Sequence, residues 1–124
     1  MLKPNGLLRH SMPDYRCDVL YERSLKYDDG SLCHDPIGGG GYDYNLKKVV
    51  GGGHVWFPKY ETVKELLNKT LFRNITFLHY YNIDNTPVLK EIDYSKAYLS
   101  RTPDFDIRIQ NPRRPMSIVV DCVK

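Results

Sequence analysis

The sequence predicts an α+β domain: a mainly antiparallel sheet with one principal amphipathic helix, at about residues 62–72, packed on one face. Three observations carry this. Helical periodicity is clear in a single stretch, within residues 61–73. The stretches after it alternate with period two and are rich in β-branched and aromatic residues. The links between them are short, which favours antiparallel neighbours.

Taken in order, residues 1–14 contain Pro4, Gly6 and Pro13 and read as an irregular arm. Residues 15–21 alternate Tyr15, Cys17, Val19 and Tyr21 against Arg16, Asp18 and Leu20, the pattern of a half-buried strand. Asp29-Gly30 is a hairpin-type turn signal. Residues 31–53 form a glycine-rich loop region: seven of the nine glycines fall within 38–53, leaving room for one strand at 42–50. His54-Val55-Trp56-Phe57 reads as a short strand leading to Pro58.

The helix follows. Val63, Leu66, Leu67, Thr70 and Leu71 fall at i, i+3, i+4, i+7 and i+8, which is one helical face. Thr62 and Glu65 form a capping-box pattern. A helix of about three turns is not stable alone in water, so it must lie on the sheet. Residues 75–81 read as a central strand with Ile75, Phe77, His79 and Tyr81 on one face. Asp84-Asn85-Thr86-Pro87 is a turn by residue type, so residues 75–94 read as a hairpin. Residues 97–99 extend or begin a strand. Residues 104–110 alternate, with Phe105, Ile107 and Ile109 expected inward, and residues 116–123 form the last strand.

The chain has 124 residues, so a single domain spanning 1–124 is expected. A hydrophobic content of 41% with 27% charged residues is that of a globular chain, not a disordered tail. No apolar run is long enough to span a bilayer, and the first residues lack the apolar core of a signal peptide. Cys17, Cys33 and Cys122 are odd in number and lack metal-ligand spacing, so free thiols in a reducing compartment are expected. The expected setting is cytoplasmic, in a host cytoplasm if the protein is viral. The ten tyrosines, with many Asn, Ile and Lys, suit an accessory protein of a phage or mobile element.

The expected function is non-enzymatic: binding, and sequestration, of a nucleotide-like or other phosphate-bearing ligand, or of single-stranded nucleic acid. The net charge of +3 permits an anionic partner. Arg101, Arg108, Arg113 and Arg114 would hold phosphate, and Trp56, Tyr80 and Tyr98 would stack a base. Gly40, Gly52 and His54 belong to glycine loops whose amides could cradle an anion, although neither loop has the lysine and hydroxyl of a P-loop. No catalytic residue, cofactor or metal is assigned. Tyrosine-rich surfaces also suggest a homo-oligomer. Two alternatives stand beside this reading. One is a protein–protein module, an inhibitor or virion component docking through tyrosines. The other is a metal-dependent nuclease using Asp104 with Asp106, which share a face in the expected strand.

Overall fold

The computed structural model describes residues 3–37 and 39–124. The elements are β1 (Leu7–Pro13), α1 (Asp18–Arg23), β2 (Leu25–Lys26), β3 (Leu32–His34), β4 (Gly41–Asp43), β5 (Lys48–Val50), α2 (Tyr60–Asn68), β6 (Asn74–Tyr81), β7 (Pro87–Leu89), a 3-10 turn (Ile107–Ile109) and β8 (Ser117–Val123). The main sheet has the order β1-β8-β6-β7, with every neighbouring pair antiparallel. Two small hairpins, β2–β3 and β4–β5, stand apart from it. This is the expected α+β class with one principal helix. No helix among the described residues is long and apolar enough to cross a membrane.

β8 is the centre of the fold. Ile118, Val119, Val120 and Cys122 are fully buried, each worth about 1.5–3 kcal/mol when a large apolar side chain leaves water. Ile118, Val120 and Cys122 meet Val63 of α2 and Phe77 of β6 on one face. Val119 meets Leu78 and Ile92 on the other, so the irregular segment 90–116 covers the second face. A third cluster, of Tyr15, Cys17, Leu20, Tyr81, Ile109 and Met116, joins α1 to one end of the sheet.

Several elements differ from the sequence reading, each for a local physical reason. Much of the supposed arm is β1, which pairs with β8 along its length from Leu7–Val123 to Pro13–Ser117. Proline is admitted there because β1 is an edge strand. Residues 18–23 are helical, not extended; Leu20 is the buried member of α1, and the Ser24 hydroxyl donates back to the Leu20 carbonyl at 2.7 Å. Residues 42–50 hold two strands, β4 and β5, not one. Around His54 there is a single bridge to Asp35 in place of a strand. No strand forms at 97–99. Residues 104–110 fold as a turn and the 3-10 turn, with the Asp106 carboxylate accepting from the Arg108 amide at 3.0 Å. Ile109 is buried as expected, whereas Ile107 is 82% exposed.

The helix begins earlier and ends earlier than its periodicity suggests. Its buried stripe is Tyr60, Val63 and Leu67, while Leu66 is exposed and Leu71, beyond the helix, is 96% exposed. Tyr60 anchors the stripe: its ring stacks on Tyr80 at 4.1 Å and meets Phe77 edge-on at 4.8 Å. No capping box forms, because the N-cap is Lys59 and not Thr62. A bulge between Phe77 and His79 breaks the alternation of β6. Phe77 and Tyr80 therefore join the helix side, and Leu78 joins the other.

Candidate functional site

Three of the four arginines expected to hold phosphate are already engaged by carboxylates. Arg108 forks onto Asp106 at 3.0 and 2.7 Å, Arg113 reaches Asp104 at 2.8 Å, and Arg114 binds Asp18 at 2.8 and 3.2 Å. The hydrogen bonds from Arg108 and Arg114 hold the Asp106 and Asp18 carboxyls below their usual range. Asp104 is held down chiefly by the Tyr94 hydroxyl, then by Arg113. Arg101 is exposed and makes no ion pair or side-chain hydrogen bond among the described residues.

The structure gathers part of the expected aromatic set beside this segment. Tyr94, Tyr98 and Phe105 form one surface cluster, with ring centroids 4.9 to 6.4 Å apart and all tilted or edge-on. Tyr98 is 66% exposed. A hollow of about 410 Å³ lies nearby, between Tyr94, Asp104, Arg113 and Lys90. The other expected stacking residues are elsewhere. Tyr80 has one ring face against Tyr60. Trp56 is exposed next to Val55, on the chain leading to α2.

Gly40, Gly52 and His54 do come together, but as the neck of a loop. A side chain at Gly40 would collide with the Gly52 carbonyl, and one at Gly53 with the His34 ring and the Gly39 carbonyl. Both positions also have positive φ, at 73° and 96°, so glycine is needed twice over. The two runs cross backbone to backbone, and Gly40 and Gly41 also border a hollow of about 350 Å³ with Arg23, His34 and Tyr42.

Asp35 closes this neck. Its side chain is fully buried and accepts from the Tyr15 hydroxyl at 2.7 Å, Arg23 Nη2 at 2.7 Å and the Ile37 amide at 3.1 Å. His54 Nδ1 lies 4.0 Å away, and the Asp35 amide donates to the His54 carbonyl at 2.9 Å. Burial works to raise the Asp35 pKa, yet the bonds from Arg23, Tyr15 and the Ile37 amide hold it below the usual value. Sequence reasoning placed His54 here but missed Asp35, Arg23 and Tyr15.

A further concavity was not legible in the sequence. It is a groove of about 900 Å³ walled by Tyr15, Tyr21, Leu32, Phe57 and Ile83, within the range of about 300–1,000 Å³ usual for ligand pockets. Tyr15 and Phe57 meet edge-to-face at 4.9 Å. The charged lining is Arg16, Asp18, Lys59 and Glu61. Arg16 Nη1 donates to Glu61 Oε2 at 2.8 Å, with a second short bond between Nη2 and Oε1. That pairing raises the Arg16 pKa and lowers that of Glu61. Arg114 neutralises Asp18 from outside the groove. Lys59 is left without an ion pair among the described residues. The walls come from residues 15–21, 30–32, 57–61 and 83–85, so no local pattern could mark them.

The remaining titratable candidates are buried or already paired. Cys17, Cys33 and Cys122 are free and buried, and burial pushes the Cys17 and Cys122 thiols up, away from thiolate. Among the described residues no three His, Cys, Asp or Glu side chains are grouped to hold a metal. Asp104 and Asp106, the candidate nuclease pair, are each tied to an arginine.

His79 is buried and shares a 3.0 Å hydrogen bond with the Lys90 carbonyl through Nε2. Burial lowers its pKa below 6.5. The unfolded chain therefore takes up a proton as pH falls below 6.5 before the folded chain does, so this group removes stability on acidification. Measured by urea unfolding, the stability of wild type relative to His79→Gln is expected to fall between pH 7 and pH 5. An equal loss in both would mean that His79 is not the group responsible.

The chain matches no protein-family model, no curated protein and no solved structure at a significant level.

Proposed function

We propose that the protein is a binding module whose principal site is the groove over the Arg16–Glu61 pair. The occupant is a short segment of another protein, with an aromatic or branched aliphatic anchor flanked by an acidic residue. One observation carries this reading: in a single concavity, apolar walls coincide with charges that nearly cancel. An apolar anchor gains the full benefit of leaving water there. A phosphate gains little, because the groove's guanidinium is already matched to Glu61. Lys59, in the lining and without an ion pair among the described residues, favours the acidic neighbour. The free thiols suit the reducing cytoplasm expected for such a module. An accessory protein of a phage or mobile element would use the groove to occupy a host protein.

A phage-displayed peptide library panned on the intact protein tests this. Enriched peptides are expected to share an apolar anchor beside Asp or Glu, and to lose at least about tenfold in affinity against Leu32→Glu, since a buried anchor is worth roughly 1.5–3 kcal/mol. No enrichment, or peptides indifferent to Leu32→Glu in a folded protein, would defeat it.

A second reading has its own support. Tyr94, Tyr98 and Phe105 gather at the surface near Arg101, whose electrostatic influence reaches Asp106. A nucleotide or single strand would stack on Tyr98 and set its phosphate on Arg101. A rise in melting temperature with added nucleotide, lost in Tyr98→Ala, would favour this face over the groove.

A further inference from the structure

We propose that β1 is a self-pairing edge, and that two copies of the chain join there about a two-fold axis at His10 to continue the main sheet. The register fixes which backbone groups are free. The Asp14 amide donates to the Met116 carbonyl at 2.9 Å, and the Lys124 amide to the Gly6 carbonyl at 3.1 Å. With Leu7 opposite Val123 and each later residue in step, residues 8, 10 and 12 are the ones that exchange backbone bonds with β8. Leu7, Arg9 and Ser11 turn their amides and carbonyls outward, where no partner exists among the described residues. Pro13 turns outward as well and has no amide to leave unpaired.

Sheet edges are usually blunted by a projecting charge or a covering segment. Here the one charged side chain with an outward backbone is withdrawn. The Arg9 side chain is 2% exposed and clamped on Asp121 at 2.6 and 2.7 Å, with Nη1 donating to the carbonyls of Asp93 and Ala97. His10 and Ser11 are exposed beside it.

Only some registers suit a second copy. Centred on His10, the Leu7, Arg9 and Ser11 amides donate to the carbonyls of Pro13, Ser11 and Arg9 of the second copy, and reciprocally. The missing amide of Pro13 leaves only the Leu7 carbonyl that faces it without a donor, once at each end of the seam. Leu8 falls opposite Met12 of the second copy on the α2 side, where both side chains already pack on the apolar cluster of Val120 and Ile118. A centre on Arg9 would instead set two guanidinium-bearing residues opposite each other, which is unfavourable. The same interface patch on both copies closes the assembly as a dimer.

Sedimentation velocity and an engineered cross-link test this on the full chain. Wild type is expected to reach about twice its 14.5 kDa mass as concentration rises. Ser11→Pro removes one outward amide per copy and leaves the β8 ladder intact. It is expected to weaken self-association on the order of thirtyfold, each net hydrogen bond being worth about 1 kcal/mol, with circular dichroism unchanged. His10→Cys is expected to form an intermolecular disulfide on oxidation, because directly opposed residues of a non-hydrogen-bonded pair lie about 4.5 Å apart at Cα. The native cysteines are buried and stay silent. A wild type that stays monomeric up to millimolar concentration overturns the proposal. So does a dimer in which folded Ser11→Pro associates as well as wild type, or one in which His10→Cys never cross-links.

Discussion

Replacing Asp35 by alanine is expected to destabilise the protein by about 3–5 kcal/mol, the cost typical of stranding one partner of a buried ion pair. Arg23, whose side chain is 23% exposed, would lose all three hydrogen bonds to its carboxylate. The Tyr15 hydroxyl would lose its 2.7 Å acceptor. That phenol is pushed up by burial and by the carboxylate, so it stays a protonated donor at any ordinary pH. The Ile37 amide would lose its partner as well. Urea unfolding should show the full loss. Limited proteolysis should cut first within residues 36–53, because Asp35 and His54 close that loop. A loss under about 1 kcal/mol would show that the centre is not holding the neck. The paired change Asp35→Leu with Arg23→Met is expected to recover part of the loss, since an apolar pair strands no charge.

The same substitution has a functional consequence. Tyr15 lies on the groove wall with its ring against Phe57, while its hydroxyl is held from behind by Asp35. The buried ion centre and the groove thus share one side chain. Loosening the glycine neck would let the Tyr15–Phe57 wall shift, and any peptide that selects the wild-type groove should weaken against Tyr15→Ala even where the fold survives.

The parts of the fold that were legible in the sequence are those whose burial repeats at a fixed period. Residues 116–123 set Ile118, Val120 and Cys122 at period two on the helix side with Val119 buried on the other, and residues 60–68 show a helical stripe because one side rests on the sheet. The parts that were not legible depend on distant partners. Alternation at residues 15–21 suggested a strand, yet Cys17 and Leu20 go inward as a helical turn against Ile109 and Met116. The bulge at Leu78 has no signature in an unbroken run such as Ile75-Thr76-Phe77-Leu78. At the candidate sites, arginines were visible but their partners were not: Arg114 is satisfied by Asp18, 96 positions away. The glycine runs were read as able to approach a ligand or a partner chain; the structure brings them close to each other.

Asp14→Ala is expected to cost about 2–5 kcal/mol, because it strands the buried Tyr81 amide and the part-buried Arg16 amide at about 1–3 kcal/mol each. Asp14 is fully buried; Oδ1 accepts from the Arg16 amide at 3.1 Å and Oδ2 from the Tyr81 amide at 3.2 Å. It therefore ties the turn before α1 to the last residue of β6, beside the groove's Arg16. Burial raises its pKa from 3.8 to about 6, against the pull of those two amides and of Arg16. A folded pKa above the unfolded one means that the folded chain holds the proton more tightly. The stability gained is fully present below pH 3.8 and is lost as pH rises through about 6. This trend opposes that of His79, so it must be read as a difference between proteins. Asp14→Asn cannot titrate and keeps one acceptor, so it should lose less than Asp14→Ala at neutral pH. Its deficit relative to wild type should grow as the pH is lowered from about 6 towards 4. A deficit that is constant across that window would show that the Asp14 carboxyl titrates at its ordinary value, and that the desolvation inferred from its burial is relieved by water.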